Sequence, residues 1–204
     1  MRIALIALAL TVCMTQPAFS DDHDKHEGKH EMDPKAQEMM KAWKDYATPS
    51  EGHKVLAGMA GNWQYTSKMW HKPEAKPEES TGAMTLKMIL GGRFLENKTT
   101  GKAMGMPFEG LGFIGYNNIS KKYETVWLDN MATGIMRGMG SYDASAQVLK
   151  DSGEFSCPMS KNKTQEYRTE WKIVDKNNMI FTMWGPDEEG NEYKHMEMTL
   201  KRKK

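Results

Sequence analysis

Cysteine is almost absent: the 204 residues contain two, Cys13 and Cys157. Cys13 falls in an N-terminal segment that reads as removable, so Cys157 would stand alone. A lone cysteine excludes an internal disulfide and leaves the fold to rest on its core. Net charge is equally scant, +1 for the whole chain. Arg2 is the sole charged residue before Asp21, so loss of residues 1–20 leaves a neutral protein. With no Lys/Arg cluster before the last four residues, this balance argues against a nucleic-acid partner. Long apolar runs are missing too. Residues 3–14 are almost wholly apolar, but that run is too short to span a bilayer, and no stable membrane insertion is expected once it is cleaved.

What stands at the N-terminus is the pattern of an export signal. Met1-Arg2 supplies a short positive region, residues 3–14 the apolar segment, and Pro17-Ala18-Phe19-Ser20 small residues at −3 and −1. Cleavage after Ser20 is expected, which places the mature protein in the periplasm or outside the cell. Leu10-Thr11-Val12-Cys13 loosely resembles a lipoprotein box, but Val12 occupies the position where such boxes carry a small residue.

Residues 21–32 have no apolar periodicity and read as a disordered leader. The leader still carries chemistry. A chain beginning Asp21-Asp22-His23 would offer a free amine, two backbone amides and an imidazole, a square-planar set suited to Cu(II) or Ni(II). His26 and His30 are additional candidate ligands. The competing view is an ordinary solvated tail.

Residues 33–60 read as one or two short helices. Asp33 is a candidate N-cap with Pro34 at the first helical position. Met39, Met40, Trp43 and Tyr46 recur at three- and four-residue spacing, giving one apolar stripe that offers a partner contact if it does not pack on the rest. Ser50 can cap a second helix carrying Val55, Leu56 and Met59.

After Gly61 the grammar becomes that of a β-meander. Strands are predicted near residues 62–70, 81–89, 93–100, 108–116, 122–130, 134–142, 147–156, 163–174, 178–184 and 192–200. Their links carry turn residues such as Gly91-Gly92, Asn117-Asn118 and 175–178, none with room for a helical crossover. Residues 61–204 are therefore expected to form an all-β, antiparallel up-and-down barrel of about ten strands, since closure removes exposed edges. Alternation shows two-faced strands: Met196, Met198 and Leu200 oppose His195, Glu197 and Thr199, and Val126 and Leu128 oppose Trp127 and Asp129. Which face is interior stays open.

Gly61-Asn62-Trp63 resembles the Gly-x-Trp signature of lipocalin-like (calycin) barrels. That resemblance implies a Trp closing one end under a basic residue of the last strand, here Lys201 or Arg202. Further motifs extend it: Ser50-x-x-His53, residues 91–95, 104–108, Gly110-x-Gly112-x-x-Gly115-Tyr116 and 133–136. In this order they resemble the DUF1579 domain family of bacteria, grouped with the calycin barrels, over roughly residues 50–203. The resemblance implies a barrel and assigns no catalytic residue. Because some calycin-like barrels hold haem through a late-strand histidine, His195 is a conceivable ligand, although Glu197 and Thr199 on its face point to solvent.

Other motifs are weaker. Residues 110–115 have dinucleotide-fingerprint spacing but lie within a strand that runs into a hairpin, where alternate glycines serve a bend or a close approach. The chain has 19 methionines, 17 of them after residue 20, and they read as general core filling rather than soft metal ligands. Candidate barrel-ligand residues are Arg93, Glu109, Tyr116, Trp127, Asp129 and Arg137. No nucleophile–base spacing marks an enzyme. The expectation is a barrel that binds a small, largely apolar molecule, with metal handling by the leader and an enzyme with a barrel active site as the alternatives.

Overall fold

The computed structural model describes residues 32–204. The chain forms helices α1 (Pro34–Ala47) and α2 (Glu51–Met59). Ten strands follow: β1 (Gly61–Met69), β2 (Glu78–Ile89), β3 (Phe94–Ala103), β4 (Met106–Asn117), β5 (Lys122–Asp129), β6 (Met136–Asp143), β7 (Val148–Ser156), β8 (Thr164–Asp175), β9 (Asn178–Pro186) and β10 (Glu192–Arg202). Each strand pairs antiparallel with its neighbours in sequence, and β1 pairs with β10 to close the barrel. The expected strands are all present. Among the described residues no helix is long and apolar enough to cross a membrane.

Side-chain alternation decides what is inside. Trp63, Tyr65 and Ser67 of β1 are buried between exposed neighbours, and Leu95, Asn97 and Thr99 of β3 repeat the pattern. On β10 the buried pair Met198 and Leu200 flanks exposed Thr199, so the methionine face looks inward.

The two ends of the barrel differ. At one end Leu56 and Met59 of α2 meet Trp63, Leu86, Leu95, Leu149, Met179 and Leu200, all at most 2% exposed. This end is a solid apolar core. The Gly-x-Trp signature has its physical cause here. Trp63 Nε1 donates to Met59 O at 3.1 Å, and the Arg202 guanidinium lies 4.2 Å above the indole ring. Arg202 also donates to Ala60 O at 2.5 Å, Gly58 O at 3.3 Å and Lys176 O at 2.6 Å, tying the end of α2 to the barrel. A side chain at Gly61 would occupy the space of that guanidinium, so the position must be glycine. Of the two basic candidates, Arg202 covers the tryptophan; Lys201 is exposed.

Ser50-x-x-His53 is a capping device. Ser50 N donates to His53 Nδ1 at 2.9 Å, and Ser50 Oγ donates to Asn118 Oδ1 at 2.6 Å. Asn118 Nδ2 in turn donates to Tyr46 O at 2.9 Å and Thr48 O at 2.8 Å, so one turn residue fastens both helices. Asp33 accepts from Lys35 N at α1, as expected of a cap. The stripe of α1 is not buried: Met39, Met40 and Trp43 are 58%, 55% and 65% exposed.

Candidate functional site

Towards the other end the barrel is hollow. A cavity of about 340 Å³ lies above the solid core and reaches the rim of the barrel. Its walls are mostly apolar and aromatic, with Tyr65, Phe108, Trp127, Tyr167, Trp171 and Phe181 among the lining side chains. Trp171 and Phe181 pack at 4.7 Å between ring centroids. Eight methionines line the cavity, including Met84, Met183, Met196 and Met198. Their flexible thioethers give a wall that can adapt to a guest. The other methionines of the described residues lie elsewhere, among them Met59 and Met179 in the closed end and Met39, Met40 and Met159 on the surface.

Trp127 shows how the sequence builds this wall. Its indole lies flat against β4 where a Cβ on Gly110 or Gly112 would collide with the ring. The alternating glycines of residues 110–115 therefore serve close approach of an aromatic side chain, as the strand context implies. Trp127 Nε1 donates to Asp129 Oδ2 at 2.8 Å, fixing the ring, and Asp129 Oδ1 accepts from Met131 N at 2.9 Å.

A second carboxylate sits deeper. Asp151 on β7 is 6% exposed and lines the cavity together with Thr125, Thr169 and Tyr167. Thr125 Oγ1 donates to its Oδ2 at 2.8 Å, and Thr169 Oγ1 donates to its Oδ1. Burial pushes the Asp151 carboxyl above the usual carboxylate range, and the hydroxyls of Thr169 and Thr125 pull it back in part. The Tyr167 phenol is pushed up to about 12, by burial first and then by the charge of Asp151. Ser67, Asn97 and Thr99 add polar atoms on other strands, with Thr99 Oγ1 donating to Asn97 Oδ1 at 2.8 Å.

Of the six barrel candidates, the structure brings Trp127 and Asp129 together in the cavity wall. The other four lie elsewhere. Arg93 precedes β3 at the closed end and donates to Leu90 O at 3.1 Å. Tyr116 also belongs to the closed end, packed against Tyr123 with ring centroids 4.9 Å apart and beneath Gly52 of α2. Glu109 and Arg137 are exposed on the outer face, because they occupy the outward parity of β4 and β6. Asp21, Asp22, His23, His26 and His30 lie outside the described residues. Among the described residues no group of His, Cys, Asp and Glu is arranged to hold a metal ion.

Asp151 escaped the sequence reading. Its signal was parity: it shares the inward face of β7 with Leu149 and Phe155, where a carboxylate is costly. His195 departs from its expected place on the solvent face. It occupies a β-bulge between Lys194 and Met196, packs over Gly185 and sits 4.1 Å from the Tyr193 ring. It is partly buried near the rim, and its Nε2 has no hydrogen-bond partner among the described residues.

Fold and cavity together define a small hollow antiparallel barrel, solid at one end and open at the other. The family described as Protein of unknown function (DUF1579) matches residues 48–202, well over half of the chain, and the chain belongs to it. Among curated proteins none matches. Of solved structures, the chain resembles that of Rv2717c from M. tuberculosis at 15% identity and TM-score 0.56, over 77% of this chain and 100% of that one. A redesigned β-barrel, b11L5F_LGL, aligns at 14% identity and TM-score 0.41, over 74% and 96% of the two chains. At these identities the likeness to Rv2717c speaks to the fold alone.

Proposed function

We infer that this protein is an exported barrel that binds one small, largely apolar molecule in its open half. The observation that carries this reading is the contrast between the two halves. A barrel needed only for structure gains by filling its interior, since packed interiors are dense and voids forfeit contacts. Here the closed half is filled by side chains at most 2% exposed, while the other keeps a cavity of about 340 Å³ walled by aromatic and methionine side chains. That volume falls within the range of small-molecule sites, and a few fixed polar groups in an apolar wall are what orients such a guest. Export rests on the N-terminal pattern of residues 1–20.

The test is a fluorescence titration with Prodan, a neutral naphthalene dye that brightens out of water. Wild-type protein is expected to bind it with one-to-one stoichiometry. Ser67 lines the cavity, so Ser67→Phe would put a ring in the guest's space, and this variant is expected to lose binding while keeping its fold. Equal binding by both proteins would rule the cavity out as the site.

A further inference from the structure

We propose that the natural guest of this cavity is an organic cation: a compact apolar body carrying an ammonium group that is held by Asp151. The proposal rests on the upper barrel being a ligand site and specifies the chemistry of that site.

Three observations carry it. The first is that the cavity wall holds two carboxylates, Asp129 and Asp151, against a single basic side chain, the exposed Lys102 at the rim. The second is that among the described residues no cation pairs with Asp151. Its register neighbours across the sheet are Gly140 and Thr169, which carry no charge. The basic residues on either side of it in the β7–β8 register pair with carboxylates of their own: Arg168 with Glu192 at 2.6 Å and Glu170 at 3.2 Å, and Lys150 lies 3.8 Å from Glu170. A carboxylate removed from water without a counter-charge costs several kcal/mol, and two threonine hydroxyls offset only part of that. A guest that brings the missing charge recovers it. The third is the wall itself. Trp127, Tyr167, Trp171, Phe181 and Phe108 surround the same space, and aromatic faces attract cations.

An anionic guest would meet two like charges. A neutral guest would leave Asp151 uncompensated. The threonine hydroxyls also fix the carboxylate, since each of its oxygens already accepts one hydrogen bond. Its remaining lone pairs are free for ammonium N–H donors.

Three adamantane derivatives of one shape test this: 1-adamantylamine, 1-adamantanol and adamantane-1-carboxylate. Each is titrated calorimetrically into the wild-type protein at pH 7 and used to displace Prodan. The amine is expected to bind about tenfold or more tighter than the alcohol, as a charge-assisted contact to a buried carboxylate requires, with the carboxylate weakest. Asp151→Asn is expected to abolish the preference for the amine over the alcohol. If the wild type binds alcohol or carboxylate as well as amine, the cation assignment is overturned, whatever the variant does. The same holds if Asp151→Asn keeps the preference for the amine. If Prodan itself fails to bind, or Ser67→Phe binds it unchanged, the reading of the cavity as the site fails, and the cation assignment with it.

Discussion

Arg202→Ala should be among the most damaging substitutions that leave the buried apolar core untouched. The guanidinium makes three hydrogen bonds to backbone carbonyls, at Gly58, Ala60 and Lys176, and covers the Trp63 ring. Two of those carbonyls end α2, where no helical partner is available. Taking about 1 kcal/mol for each hydrogen bond of this partly exposed group, and about 0.5–1 kcal/mol for the cation–π contact, the loss is roughly 3–4 kcal/mol. For a domain of this size that is a fall in Tm of roughly 6–16 °C. Gly61→Ala should cost nearly as much by a different route, because a methyl group there would displace the same guanidinium. The double variant should therefore be less destabilised than the sum of the single ones, by on the order of 1–2 kcal/mol. Urea unfolding followed by tryptophan fluorescence measures all three. A loss below about 1 kcal/mol for Arg202→Ala, or strict additivity, would refute this account of the closed end.

Three further outcomes are expected. Asp151→Asn should raise stability at neutral pH in the absence of guest: burial raises the folded carboxyl above its unfolded value, so charging it costs stability as pH rises through that window. The gain should vanish below the ordinary carboxylate range, where both forms are neutral, and thermal melts from pH 3 to 7 would show it. His53 is held below its ordinary value by burial and then by the charge of Arg93, so stability should fall as pH drops below about 6.5, the usual histidine value. His53→Gln, which keeps an acceptor for Ser50 N, should flatten that fall; an unchanged profile would exclude His53 as its source. If export cleaves after Ser20, the mature chain should take one Cu(II) in a square-planar nitrogen site that is lost on deleting residues 21–32, as visible absorption would report.

The barrel was legible because strand alternation and turn chemistry are local. β8 and β10 begin within a residue of where the pattern places them, and the turn residues Asn117-Asn118 fall where β4 ends and the link of residues 118–121 begins. The misplaced boundary is instructive. β3 runs on to Ala103 and β4 starts at Met106, joined by Met104-Gly105, both with positive φ, of 50° and 76°. A methionine in that conformation is unusual, and Pro107 reads as a breaker although it pairs with Lys102 in the sheet. The site was only half legible. Alternation groups Trp127 with Asp129 but cannot say which parity is inside, and that choice depends on closure of the whole sheet. The same uncertainty put Glu109 and Arg137 among the candidates. Tyr116 does face inward, yet it falls in the filled half, and nothing local marks where the plug from α2 ends.

The central claim is that the open half, and no other surface, receives the guest. Methionines report on both directly. In protein labelled with ¹³C at the methionine methyl groups, Prodan should shift the signals of Met84, Met183, Met196 and Met198 in the cavity wall. The exposed Met39, Met40 and Met159 and the buried Met59 and Met179 of the closed end should stay where they are. Shifts confined to Met39 and Met40 would place the apolar site on α1 instead. No shift in the cavity methionines at saturating dye would contradict the account.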